Sequence, residues 1–372
     1  MKIGLVRRGY SGSGGAESYL FRLADALEQA GHACALFGSP EWPRERWPAP
    51  REFHPVAGRT PRAFADALDA IEPGRRCDLV FSLERVWTCD CYRAGDGVHA
   101  AWLERRGAVE PAWRTFLHRW NPKHRQILAL ERALFGADAA RRIIANSGLV
   151  RDEILQRYPG FPAGRVAVVQ NGLPESAFRP ASPEKRAAAR ATYNLRADEF
   201  VILFAGTGWV RKGLGHALRA VARLPDRVRP RLLVAGRGRP AGFLRASPAG
   251  AAARCTFLGP VHDMAAPYAA ADVFVLPTVY DPFSNACLEA LASGLPVLTS
   301  DANGFGEVLT PGVDGEIIPT TDAPRGEELA ARLLAWADRE RLEAARPLCV
   351  RKAAPFTMER NVRRTLELLG AV

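Results

Sequence analysis

Two carboxylates stand eight positions apart, at Asp281 and Glu289, in the run Tyr280-Asp281-Pro282-Phe283-Ser284-Asn285-Ala286-Cys287-Leu288-Glu289-Ala290. The run reads as a loop entering a helix, with Asp281 before the helix and Glu289 about a turn and a half inside it. Backbone N–H groups at such a start, here those of Phe283, Ser284 and Asn285, can donate to sugar hydroxyls or to phosphate. A carboxylate at the position of Glu289 can accept from the two hydroxyls of a ribose. An N-capped helix carrying an incidental glutamate shares some of these features but not the whole set.

Two other groups of residues suit a diphosphate. Gly206-Thr207-Gly208-Trp209-Val210-Arg211-Lys212-Gly213 follows a strand-like run, and its two cations can meet one ligand as a fork and as a point charge. A pair of solvated surface cations is the plainer reading of Arg-Lys, and the neighbouring glycine turn argues against it. Near the N-terminus, Gly12-Ser13-Gly14-Gly15-Ala16-Glu17 lies between a strand and a helix, where glycines allow backbone to approach phosphate closely. A tight strand-to-helix turn makes the same demand on glycine. A dinucleotide site would want an acid at the tip of the second strand, but that strand ends in Gly38-Ser39-Pro40, with Glu41 just beyond.

The elements that must hold these residues alternate between strand and helix from the first residues onward. Lys2 to Arg8 reads as a buried strand, and the helix after it presents Tyr19, Leu20, Leu23, Ala24 and Leu27 on one face. Ala33 to Phe37, Asp78 to Ser82, Arg142 to Ala145 and Val166 to Val169 extend the same sheet. A break falls at Asn171-Gly172-Leu173-Pro174, and Pro180 and Pro183 extend it as a linker. The alternation then restarts with strands at Phe200 to Ala205, Arg231 to Ala235, Cys255 to Leu258, Asp272 to Leu276 and Pro296 to Thr299. The pattern predicts two doubly wound α/β domains, 1–174 and 175–354, with ligand between them beyond the carboxyl ends of the strands.

Composition narrows the class. The 372 residues are 48% hydrophobic and 24% charged, which suits a soluble chain of two domains. No run approaches the roughly 20 apolar residues of a membrane span. The chain opens into a strand without the pattern of a signal peptide, so a cytoplasmic location is expected. The seven cysteines are scattered, and none has partners at zinc spacing. A net charge of +11 points to nucleic acid, an anionic membrane face or a polyanionic substrate. Nucleic acid ranks last, because no helix-turn-helix, zinc knuckle or RNP-type strand appears.

From His99 to Arg132, Arg105, Arg106, Arg114, Arg119, Lys123 and Arg125 are interleaved with Trp102, Trp113, Phe116, Leu117 and Trp120. Bulky apolar residues among cations suit a helix lying in an anionic membrane interface. A packed helix with a solvated basic face has a similar composition.

Taken together, the Gly14-Gly15-Ala16-Glu17 loop, the Arg211-Lys212-Gly213 turn and the paired-acid helix resemble glycosyltransferase family 4, which has the GT-B fold. Asn146-Ser147 after a strand, Gln170-Asn171-Gly172 and Val234-Ala235-Gly236-Arg237-Gly238 add to the resemblance, which runs from the first strand to about Pro319. Within that family the chain is most similar to the transferases that glucosylate the inner-core heptose of lipopolysaccharide. Tyr92-Arg93-Ala94-Gly95-Asp96, the run Trp113 to Leu134 and the Arg-Lys-Gly turn carry that closer likeness. One departure is plain: the first acid of the pair is usually Glu in the family and is Asp281 here.

The resemblance implies a retaining, metal-independent transfer of a hexose, by default glucose, from a UDP-sugar to a lipid-linked glycan acceptor. The enzyme would be peripherally attached to the inner face of the cytoplasmic membrane, with Trp113, Arg114, Arg119, Trp120, Lys123 and Arg125 facing the lipid. Arg211 and Lys212 would neutralise the diphosphate, and Gly14 and Gly15, in the loop that carries Glu17, would approach the same phosphates. Glu289 would hold the ribose, and Asp281 with the amides of Phe283, Ser284 and Asn285 would hold the donor sugar. Arg237 and His262 would flank the uracil. Asp96 would polarise the acceptor hydroxyl or steady positive charge at the anomeric carbon, with His99 as its rival, and the leaving phosphate would act as base. No cofactor is implied. A nucleotide-sugar 2-epimerase on the same scaffold and a nucleotide-binding module without catalysis are the alternatives. The C-terminal segment 355–372, with Val362, Leu366 and Leu369 at helical spacing, crosses back to the first domain in this fold.

Overall fold

The computed structural model describes residues 1–10, 15–110, 112–118, 120–136, 138–174 and 178–370, without the side chains of Ala16, Ser18, Ala112, Arg114 and Leu117. The chain divides into two compact units, residues 1–172 with 358–372 and residues 173–357. Each unit is a parallel sheet flanked by helices.

In unit 1 the strands are β1 (Lys2–Arg7), β2 (Ala33–Gly38), β3 (Glu52–Pro55), β4 (Leu79–Ser82), β5 (Cys89–Ala94), β6 (Ala140–Ala145) and β7 (Val166–Val168). They lie in the order β3-β2-β1-β4-β5-β6-β7. The helices are α1 (Gly15–Gln29), α2 (Pro61–Ile71), α3 (His99–Gly107), α4 (Ala112–His118), α5 (Pro122–Leu134) and α6 (Gly148–Arg157). Unit 2 holds β8 (Phe200–Ala205), β9 (Pro230–Ala235), β10 (Cys255–Gly259), β11 (Val273–Leu276), β12 (Val297–Ser300) and β13 (Gly315–Ile318), in the order β10-β9-β8-β11-β12-β13. Its helices are α7 (Pro183–Thr192), α8 (Trp209–Lys212), α9 (Leu214–Arg223), α10 (Pro240–Arg245), α11 (Ala265–Ala270), α12 (Asn285–Ala292), α13 (Glu327–Ala335) and α14 (Arg339–Ala353). The last helix, α15 (Met358–Gly370), packs in unit 1 against α1, where Val362, Leu368 and Leu369 are buried.

The strands are near-continuous apolar runs because both faces of a parallel sheet are covered. Every residue of β8, β11 and β12 is buried. On α9, Leu214, Ala217, Leu218 and Val221 recur at helical spacing and are fully buried against that sheet. In each sheet the strand order reverses once, between β1 and β4 in unit 1 and between β8 and β11 in unit 2. The loops leaving the two strands at such a point diverge to opposite faces and open a crevice, where doubly wound sheets bind ligands.

The stretch around Pro180 and Pro183 is not a free linker. Pro183 is the first residue of α7, and Ser182 caps that helix by accepting the Lys185 N–H. The helix is locked into unit 2 by Asp272, which is fully buried just before β11. Arg186 reaches Asp272 Oδ1 at 2.5 Å, Arg190 reaches Oδ2 at 2.7 Å and Arg339 reaches Oδ1 at 3.2 Å. The Val201 N–H donates to the same Oδ2 at 2.7 Å. Removing one partner from a buried ion network leaves the others uncompensated. Asp272→Asn keeps the shape and deletes the charge, so it is expected to lower the unfolding free energy by about 3 kcal/mol or more. Urea denaturation followed by circular dichroism checks this, and an unchanged midpoint would show that the network adds no stability.

Candidate functional site

In unit 2, the residues singled out from the sequence gather along the carboxyl edge of the sheet. The loop after β8 winds into the four-residue helix α8, which ends in Arg211 and Lys212. Gly213 follows with φ of 80°, and a Cβ built there would lie 1.9 Å from the Pro277 carbonyl oxygen. Only glycine lets the β8 loop press this closely on the loop leaving β11. The contact is stitched further by the Arg211 carbonyl, which accepts the Val279 N–H at 2.8 Å and the Thr278 hydroxyl at 2.7 Å. At the neighbouring strand Gly236, with φ of 132°, packs its α-carbon against the Gly206 carbonyl, where a Cβ would come within 2.1 Å.

This arrangement puts Lys212 and Asp281 in a direct ion pair. Arg211 Nη1 stands 3.9 Å from the same carboxylate oxygen and donates to the Tyr280 carbonyl at 3.1 Å. The Asp281 side chain is 7% exposed and that of Lys212 13%, whereas Arg211 is 37% exposed. Asp281 is fixed through its backbone as well, since its N–H donates to the Ala302 carbonyl and its own carbonyl accepts the Gly304 N–H. Two cations and one carboxylate therefore meet in the crevice between β8 and β11.

Beside them α12 begins at its cap Ser284, whose hydroxyl accepts the Cys287 N–H. Phe283 is buried edge-on against Phe305, and Asn285 is exposed. Glu289, half-buried on α12, accepts a hydrogen bond from the Tyr268 hydroxyl at 2.9 Å. Burial and the neighbouring Glu289 carboxylate hold the Tyr268 phenol well above its usual range, so it stays a donor. Arg237, after β9, and His262, after β10, are exposed on the next loops along the same edge. The edge thus presents His262, Arg237, the Arg211–Lys212 pair and Asp281 in the spatial order of strands β10, β9, β8 and β11.

Unit 1 has a second cluster at its own order reversal. Arg7 ends β1 and pairs with Glu17 at 3.1 Å and with Glu84, just past β4, at 3.0 Å. Burial works to lower the Arg7 pKa, but the carboxylates of Glu84, Asp96 and Glu17 outweigh it and raise the group. Burial likewise raises Glu84, against the pull of Arg7. Glu17 is only 4% exposed, and its carboxylate is taken up by Arg7. Gly15 opens α1, and Gly14 lies outside the described residues.

Asp96 is exposed in the turn after β5, and His99 begins α3. The His99 ring is half-buried with Nε2 3.0 Å from His124 Nδ1. Burial, with Arg85, His124 and Lys123 nearby, lowers its pKa to about 3. His99 is therefore neutral at physiological pH and can exchange hydrogen bonds without storing a proton.

The basic aromatic stretch is broken into α3, α4 and α5, and it does not bury its aromatic residues. Trp113 is 61% exposed, Phe116 59% and Trp120 67%, with Lys123 and Arg125 exposed beside them. These three side chains are not part of a buried core. Arg119 and the side chain of Arg114 lie outside the described residues. No helix among the described residues is long and apolar enough to cross a membrane.

Sequence reading passed over Arg7, Glu84 and Tyr268. A charged residue closing a buried strand at a glycine turn was the available signal for Arg7. Tyr268 reaches Glu289 from another helix, and no local spacing marks it.

Comparison with known proteins places this geometry. Residues 13–176 match the family described as Glycosyltransferase Family 4, and residues 199–338 match Glycosyl transferases group 1. D-inositol 3-phosphate glycosyltransferase 1 of Catenulispora acidiphila is 33% identical over 242 residues, which are 61% of this chain and 56% of that protein. The chain thus spans about half the length of that relative. Among solved structures, the fold is shared with WaaG, a glycosyltransferase involved in lipopolysaccharide biosynthesis, at TM-score 0.73 and 21% identity over 95% of this chain and 99% of that one. It is also shared with Anabaena HepE in complex with UDP-glucose, at TM-score 0.74 and 17% identity over the whole of both chains. With its two halves matched in turn and both sheets in the doubly wound order, the chain belongs to the GT-B glycosyltransferases of family 4 and group 1.

Proposed function

We propose that the protein is a retaining glycosyltransferase that moves a hexose, by preference glucose, from a UDP-sugar to a lipid-linked glycan acceptor such as the inner-core heptose of lipopolysaccharide. The observation that carries this reading is the meeting of Arg211, Lys212 and Asp281 in the crevice between β8 and β11, beside the N-terminus of α12. In the donor complex the two cations take the diphosphate, and they stabilise the charge that builds on it as the glycosidic bond breaks. They do so in place of a divalent metal. Glu289, steadied by Tyr268, accepts from the ribose hydroxyls, while Arg237 and His262 flank the base. Asp281 and the amides at residues 283–285 hold the sugar. The solved complex of HepE with UDP-glucose supports the choice of donor.

On the acceptor side Asp96 acts on the incoming hydroxyl or on the anomeric centre. His99, kept neutral, serves as a hydrogen-bonding neighbour, and the leaving phosphate takes the acceptor proton. The glycine loop that carries Gly14, Gly15 and Glu17 contributes backbone donors to the same phosphates, with Glu17 held back by Arg7. The exposed Trp113, Phe116 and Trp120 with Lys123 and Arg125 set the enzyme on the anionic inner face of the cytoplasmic membrane, where a lipid-linked acceptor is met.

The test is UDP release from UDP-glucose, UDP-galactose and UDP-N-acetylglucosamine, each with heptose-terminated lipopolysaccharide, with inositol 3-phosphate and without acceptor. Acceptor-dependent release from one donor is expected, unaffected by EDTA, with Lys212→Ala and Glu289→Ala each lowering kcat/KM by roughly 100-fold or more. Isomerised donor without acceptor would instead favour the epimerase. Release that depends on inositol 3-phosphate would reassign the acceptor to the class named in the relative from Catenulispora acidiphila.

Vesicle sedimentation tests the membrane contact. Replacing Trp113 and Trp120 by Ser together with Lys123 and Arg125 by Gln should weaken binding to phosphatidylglycerol vesicles by at least tenfold and leave UDP binding intact. Equal vesicle binding by the variant would remove the membrane from this reading.

A further inference from the structure

Helix α3 starts without a cap of its own. The residue at its N-cap is Val98, which has no side chain able to accept the first free amides. The acceptor comes from 32 residues away. Glu131, fully buried on α5, takes the His99 N–H on Oε2 at 2.6 Å and the Ala100 N–H on Oε1 at 3.0 Å. The same carboxylate receives the Tyr158 hydroxyl at 2.9 Å and Arg85 Nε at 3.1 Å. Arg85 then turns its Nη2 onto the Gly97 carbonyl at 2.6 Å. The turn Gly95-Asp96-Gly97-Val98 is thereby gripped on both sides of its peptide chain, by a cation on the carbonyl before Val98 and by an anion on the amides after it.

We infer that Arg85 and Glu131 are positioning residues that fix the Asp96 turn for the acceptor step. This inference rests on the role given to Asp96 above. Both act from inside the fold: the Glu131 side chain is 0% exposed and that of Arg85 11%. Their effect passes through the backbone. A buried carboxylate bonded to helix N–H groups is worth far more than a surface cap, because neither the charge nor the amides have water to fall back on. Gly97 adopts φ of 68°, so the turn has little conformational stiffness of its own and depends on the clamp at its ends. Helix α5 also carries His124, the partner of the His99 ring, so a single helix fixes the segment after Asp96 by backbone and by side chain.

The experiment uses the full chain with Glu131→Gln and, because loss of a buried charge can unfold the protein, Arg85→Lys as the milder variant. Hydrogen exchange reads the clamp without reference to activity. The amides of His99 and Ala100 should exchange at least tenfold faster in either variant, while amides of β1 and β8 keep their wild-type protection. Kinetics reads the consequence. The variants should lower kcat for transfer about tenfold with UDP affinity unchanged, and that loss should disappear when Asp96→Asn is already present. Unchanged exchange at His99 and Ala100 would overturn the clamp. Faster exchange with kinetic losses that simply add to those of Asp96→Asn would overturn its action through Asp96. Absence of transfer by the wild-type protein would fail the transferase reading and leave the exchange result to judge the clamp.

Discussion

The approach of Gly213 to the Pro277 carbonyl is the constraint on which the candidate donor site depends. Strands β8 and β11 are neighbours in the sheet, but the loops leaving them would normally part to opposite faces. A residue with no side chain lets the two loops touch, with less than the width of a Cβ between them. Lys212, next to that glycine, is then delivered to Asp281 on the other loop. The hydrogen bonds of Val279 and Thr278 to the Arg211 carbonyl keep the two loops in one alignment. The chemistry proposed for the cations follows from this packing, since a shift by one residue would turn Lys212 away from the crevice.

Charge is placed differently at the two edges of the sheets. At the amino end of β11, Asp272 is enclosed by three guanidinium groups and an amide, an arrangement that welds α7 and α14 to unit 2 and leaves no room for a ligand. At the carboxyl edges close pairs such as Lys212–Asp281 stand beside charges that are more open. Arg211 has its carboxylate at 3.9 Å and is more than a third exposed, and Asp96 is exposed within the field of Arg7 and Glu84. Fully satisfied buried ions hold structure, whereas partly satisfied ones at a sheet's carboxyl edge are available to a ligand.

The fold was largely legible because it is written in local patterns. Buried parallel strands such as β8 are runs of apolar residues, and α9 carries its buried face at helical spacing. The glycines at the turns and the paired acids about α12 are also local, and they led to the carboxyl edge of unit 2. What could not be read is what depends on residues far apart in the chain. Pro183 looked like part of a linker because a proline that opens a helix and one that breaks it are alike in sequence, and only the reach of Arg186 and Arg190 to Asp272 distinguishes them. Tyr268 on Glu289 and Glu131 on the start of α3 escape for the same reason. The exposure of Trp113, Phe116 and Trp120 could not be read either, because aromatic residues occur in cores and on surfaces alike.

The departure at Asp281 acquires a physical meaning from its surroundings. Its N–H and carbonyl are both bound to the loop after β12, and its side chain is one methylene shorter than the glutamate usual at this place. The carboxylate of this tethered residue reaches Lys212 directly. The contact holds the lysine side chain in one direction, which lowers the cost of ordering a flexible four-carbon stem. In the proposed donor complex the ammonium would be shared between phosphate and carboxylate. Arg211, with its longer separation from Asp281 and greater exposure, is the more accessible of the two cations. The two cations are adjacent in sequence and unequal in the structure. Asp281 takes Lys212 in a direct pair and leaves Arg211 at 3.9 Å, so the proposed work on the donor is divided between a positioned lysine and a more accessible arginine.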